Sequence, residues 1–191
     1  MRHLYAVGQP IMQVELAEVG GVSQPAVSQY MASLRASGDV SSADPGWLGN
    51  RTQLPSTYWA SYASRFAEQS IWYRIDAPAA QVADVVERAP HVIVSGDIGA
   101  DAVAPWRVPT VAIIYGDVAE ATLDDLGFVH ADTPAAASLL IRPVPDDRFA
   151  TQVTELDQFL VAPLLHLAAD MVGLGGDDRA EAVERIGRVA S

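Results

Sequence analysis

Neither cysteine nor lysine occurs anywhere in the 191 residues. The first absence excludes disulfides, thiol catalysis and thiolate metal sites, and it suits a reducing compartment. The second makes every basic residue an arginine: twelve of them, against twenty-four Asp and Glu, for a formal net charge of -12. No apolar run reaches the roughly 20 residues that cross a bilayer, and the opening MRHLYAVGQP has no apolar core followed by a small-residue cleavage site. A cytoplasmic protein without a membrane partner is the expectation.

What is present is a good core former. Half the residues are hydrophobic, so global disorder is excluded. The acid is unevenly placed. Residues 1–76 hold five Arg against six acids, net -1, whereas residues 77–191 hold seven Arg against eighteen, net -11. A nucleic-acid-binding element, if there is one, belongs in the first part.

That part contains ELAEVGGVSQPAVSQYMASL at residues 15–34, with the spacing of a helix-turn-helix. Leu16, Ala17, Val22, Val27 and Tyr30 fall at its inward positions, Ala17 where two helices cross closely, and Gly21 where the turn needs left-handed backbone. Ser23 reads as an N-cap and Pro25 sits in the first turn, where its missing N–H is harmless. The second helix is predicted from near Gln24 to close to Gly38. With Val27, Tyr30, Met31 and Leu34 inward, its outer face carries Gln24, Ser28, Gln29 and Ala32. Gln pairs bidentately with adenine, Ser donates or accepts, and Ala leaves room for a thymine methyl. Ser23, Gln24, Ser28 and Gln29 are therefore candidate DNA contacts, with Arg35 and Arg51 as phosphate anchors beside the positive end of the helix. So few cations predict modest affinity and a homodimer on a two-fold operator.

Val40 and the later SIWYRI read as the two strands of a wing around an inserted helix, STYWASYASRFAE. The aromatics Trp47, Tyr58, Trp59, Trp72 and Tyr73 read as core or dimer interface, because no cations surround them as a stacking platform for single strands would require. Beyond Pro78, the continuous Val92-Ile93-Val94 predicts a strand buried on both faces. A Ser95-Gly96 turn then leads into a helix and a second strand, TVAIIY, in the order of the nucleotidyltransferase fold. There such a turn holds phosphates, and two acids on the next strand bind magnesium. The second strand here carries Val111, Ala112, Ile113, Ile114 and Tyr115 instead, and Asp117 arrives late. Ser95, Gly96 and Asp97 are thus a candidate vestigial nucleotide pocket without catalytic residues. Farther on, LDQFLVAPLLHLAADMVGLGG reads as a long helix broken at Pro163. Asp178 and Glu181 read as a capping box. Asp170, Asp177, Asp178 and Arg179 read as capping and surface pairing rather than a cation site, and His166 as a packed histidine. No cofactor and no metal is expected.

The stretches VSGDIGADAVAPWRVPTVAIIY and VAPLLHLAADMVGLGGDDRAEAVERI, behind an N-terminal helix-turn-helix, resemble the AbiE-type abortive-infection antitoxins, transcriptional regulators of type IV toxin–antitoxin systems. The resemblance covers nearly the whole chain. It implies a winged helix that represses its own operon and a second domain that neutralises a toxin encoded nearby, without a stable complex. The expected fold is α+β: a winged helix-turn-helix over residues 1–76, then a mixed α/β nucleotidyltransferase-like domain over residues 77–191 lacking the catalytic acid pair. The expected function is a non-enzymatic, sequence-specific transcriptional regulator. Two alternatives stand beside it: a nucleotidyltransferase using Ser95, Asp97, Asp101 and Asp117, and an acidic module that sequesters a basic partner.

Overall fold

The computed structural model describes residues 1–156 and 159–190. A short helix α1 (Arg2–Ala6) leads to α2 (Gln13–Gly20) and α3 (Gln24–Ala36), which meet at Gly21. Gly21 has φ +64°, the left-handed value that glycine reaches without penalty. The helices close on Ala17, Val27, Met31 and Leu34, all buried. Val22 and Tyr30, expected inward, are instead 51% and 45% exposed. Val22 belongs to the turn rather than the helix, and Tyr30 lies about 100° around α3 from Met31, off the buried line.

A hairpin follows directly: β1 (Val40–Ala43) and β2 (Gly46–Gly49), antiparallel. Ile11 joins it as a third partner through two backbone bonds of 2.9 Å with Trp47. Gly46 permits this approach, since a Cβ there would collide with the Ile11 carbonyl. The hairpin therefore closes through an Asp44-Pro45 turn, and Ser70–Tyr73 is not its second strand. That segment is β3, and it pairs with two strands of a larger sheet. Between them, α4 (Leu54–Tyr62) continues into a 3-10 turn over residues 63–68.

The remaining elements are α5 (Pro78–Arg88), β4 (Ile93–Ser95), α6 (Gly96–Val103), β5 (Ala112–Tyr115), α7 (Glu120–Asp125), β6 (Val129–His130), β7 (Leu139–Arg142), β8 (Thr154–Leu156), β9 (Phe159–Val161), α8 (Leu164–Leu174) and α9 (Asp177–Val189). They complete a mixed seven-stranded sheet of order β6-β3-β7-β5-β4-β9-β8. Every residue of β4, β5 and β7 is buried, as strands covered on both faces require. Two expectations fail here. Residues 159–161 form a strand, because a short apolar run has no period that separates strand from helix. The box on α9 does not form either: Gly176 is the N-cap, Asp178 bonds Arg107, and Glu181 pairs with Arg185 one turn on.

The α8 helix carries apolar side chains all round and is the hub of the molecule. Helices α1, α4, α6 and α9 all pack on it. Gly173 allows α4 to close, for a Cβ there would strike the Trp59 ring. One continuous apolar core accordingly runs from Leu4, Met31 and Tyr58 to Ile113, Leu140 and Leu167. Among the described residues, no helix is long and apolar enough to cross a membrane.

Candidate nucleic-acid interface

The α3 helix begins at an N-cap whose Ser23 Oγ accepts from the Ala26 N–H at 3.4 Å. Its carbonyl accepts the first helical bond, from the Val27 N–H at 3.1 Å, and its hydroxyl is engaged by the chain itself. Gln13 donates to the Gln24 carbonyl at 2.9 Å, which ties the start of α2 to the start of α3 and leaves the Gln24 side chain exposed. Gln24, Ser28, Ala32 and Arg35 fall at i, i+4, i+8 and i+11, in one line along the helix. All four are exposed, and Gln29 beside them is exposed too. Val27, Met31 and Leu34 anchor the opposite face. The outcome is a row of amide, hydroxyl, methyl and guanidinium groups on a rigid scaffold, the set that reads base edges and a phosphate.

The Arg35 carbonyl accepts from the Gly38 N–H at 3.1 Å, but its guanidinium has no hydrogen bond or ion pair among the described residues and is exposed, so it is available as a phosphate anchor. Arg51 is not placed for that role. Its guanidinium donates to the carbonyls of Tyr5 and Gly187, each at 3.1 Å, and of Ala190. A cation at the carbonyl end of α9 is favoured by the helix dipole, and this one fastens α9 to the chain after the hairpin. The hairpin itself, VSSADPGWLG, carries Asp44 and no cation. Sequence reasoning missed Arg148. It is exposed, and it donates to the Val19 and Gly20 carbonyls at 2.8 and 3.1 Å, beside Gly21 in the turn. It lies 127 positions from that turn in the chain, so no local pattern announces it.

The Ser-Gly turn forms as expected but is closed. Ser95, Gly96 and Asp97 are all buried. Ser95 Oγ donates to Asp170, and Gly96 (φ +68°) lies against Ile113 and Val111 with no room for a side chain. Asp97 accepts from Arg179 Nε at 2.8 Å, Arg107 at 3.1 Å, and the backbone N–H and hydroxyl of Thr110 at 3.0 and 2.9 Å. Burial opposes its charge, but the Arg179 and Thr110 bonds outweigh that and hold its carboxyl below the usual range. The turn's polar groups thus serve the protein's own side chains, and the vestigial pocket is not open to a nucleotide. Asp117 is elsewhere. Ser95 pairs with Ile113 in the antiparallel β4–β5 ladder, so Asp117, four residues further along, is roughly 13 Å away towards the other end of the sheet.

Comparison with protein-family models, curated proteins and solved structures finds no match.

The residues themselves must therefore carry the functional reading. Of the aromatics, Tyr58 and Trp72 are buried and Tyr73 is 44% exposed; Trp59 lies under the Arg142 guanidinium at 5.7 Å. The expected surface pairing of Asp170 is overturned. Asp170 is buried on α8 and accepts from Ser95, Tyr115 and Arg142, because α8 has no solvent face at that position. His166, one turn before it, is packed as expected, with Tyr115 OH at 2.8 Å and Tyr58 OH at 3.2 Å.

Proposed function

We propose that the chain is a non-catalytic, sequence-specific DNA-binding regulator. In this reading α1 to α3 and the β1–β2 hairpin form a winged helix, and α3 enters a major groove. The observation that carries it is the row Gln24, Ser28, Ala32 and Arg35 with Gln29, all free of cover, on a helix held from behind by Val27, Met31 and Leu34. Two copies occupy a two-fold operator, since one copy offers few cations. The order helix, strand, Ser-Gly turn, helix, strand from α5 to β5 supports a nucleotidyltransferase-like scaffold for the rest, without chemistry: β5 offers Ala112, Ile113 and Ile114 where the acids would stand. An antitoxin-like role, with the toxin encoded next to this chain, follows from the resemblance.

The test is an electrophoretic shift on the duplex upstream of the chain's own coding region and on duplexes selected from a randomised library. Replacing Gln24, Ser28 and Gln29 together by alanine is expected to weaken specific binding about a hundredfold, since each good base-edge pair contributes on the order of 1–3 kcal/mol. Circular dichroism should stay unchanged, because these side chains are exposed. If no duplex is enriched, or the triple variant binds as the parent does, the reading is wrong. A second measurement concerns salt. With Arg35 as the phosphate contact of each copy, log K should fall against log salt with a slope of about -2 for the pair. A much steeper slope would place the contact surface elsewhere.

A further inference from the structure

The exposed sides of α5 and α6 flank a groove of about 730 Å³. Its α5 wall is Ala79, Ala83 and Val86, its α6 wall Ile98 and Ala102, with Phe159 of β9 alongside. The spacings i, i+4, i+7 and i, i+4 put each set on one side of its helix. Surface helices usually fill such a gap with long side chains; three alanines keep it open. Glu87 and Asp101 also line it, one from each helix. Among the described residues, neither carboxylate has a hydrogen bond or an arginine partner, whereas Asp84 on the same helix is paired with Arg74 at 2.7 Å.

We propose that this groove is a binding site for a lipophilic organic cation. Its volume is that of small-molecule sites, which are mainly apolar with a few placed polar groups. Apolar walls withdraw the ligand's hydrocarbon from water. The two carboxylates, Asp101 half-buried and Glu87 exposed, then meet its charge beside the apolar walls, where the nearby low-dielectric surface strengthens the attraction. The -11 of residues 77–191 adds a field of the same sign. A neutral or anionic ligand would leave both carboxylates against apolar surface with nothing opposite them. This assignment is independent of DNA binding.

Two ions of nearly equal size and shape and opposite charge, tetraphenylphosphonium and tetraphenylborate, test it on the full chain by isothermal titration calorimetry. The cation is expected to bind at one site at least tenfold more tightly than the anion. Glu87→Gln with Asp101→Asn should weaken the cation tenfold or more and bring the two ions close together. Ala83→Phe, at an exposed position, should fill the groove and abolish binding with the circular dichroism spectrum unchanged. Equal binding of the two ions, binding of neither, or cation binding indifferent to the paired amide changes or to Ala83→Phe would each overturn the proposal.

Discussion

Replacing Asp170 by alanine is expected to lower the free energy of unfolding by about 3–5 kcal/mol, the usual cost of breaking a buried ion pair from one side. The Asp170 and Arg142 side chains are 1% and 4% exposed, and they meet at 2.6 Å. Tyr115 OH donates to the same carboxylate at 2.9 Å and accepts from Arg142 at 3.1 Å. Without the carboxylate the guanidinium stays in the interior, still bonded to the Gln69 side chain at 2.9 Å, but without the anion that meets it at 2.6 Å. Removing both charges at once, Asp170→Leu with Arg142→Met, should cost far less, because an apolar pair of similar volume carries no desolvation penalty. Urea unfolding of the two variants checks this: similar losses in both would mean that packing, not uncompensated charge, governs the site.

Stability should also fall by about 3 kcal/mol as pH drops from 6.5 to 4, through His166 alone. Burial lowers its pKa from 6.5 to about 4. The charges it feels oppose one another: Asp170 and Asp146 favour the imidazolium, while Arg2 and Arg142 disfavour it. In the unfolded chain the imidazole takes up its proton near pH 6.5; in the folded chain it does so only near 4. Between those values the unfolded state binds more protons, so acid favours unfolding there, and above 6.5 this group contributes no slope. Asp97, whose folded pKa lies below its unfolded one, adds a separate loss once pH falls below the ordinary carboxylate range. His166→Gln keeps an amide near Tyr58 and Tyr115 but cannot titrate. Denaturant midpoints against pH should lose the 6.5-to-4 slope in this variant and keep the lower one; an unchanged upper slope would assign it to another group.

The glycine turn and the buried line of α3 were legible because both are local: Gly21 must be left-handed, and Val27, Met31 and Leu34 repeat at helical spacing. The hairpin after α3 is half legible. Val40 reads as a strand, but its partner is the short GWLG stretch, too brief and too rich in glycine to show alternation, and the more hydrophobic SIWY carries the stronger strand signal. The fates of Arg51, Arg148 and Asp170 were not legible. Each is decided by groups far away in the chain, the carbonyls of Gly187 and Val19 and the guanidinium of Arg142, and residue type alone does not distinguish a phosphate anchor from a helix-end clamp. For Ser95, Gly96 and Asp97 the reverse holds: their local geometry is legible from the Ser-Gly pair, but the side chains of Asp170, Arg179 and Thr110 that occupy them come from distant parts of the chain.

Because α1 and α4 lie on α8, and Arg51 grips the end of α9, the two ends of the polypeptide are folded against each other. A fragment stopping near residue 76 would bare Leu4, Tyr5, Leu54 and Tyr58 to water, and the complementary piece would lose β3 from between β6 and β7. Such a chain is not a pair of exchangeable cassettes. If α3 reads DNA as proposed, altering what it recognises is a matter of single replacements along its outer line, made with the rest of the molecule left in place.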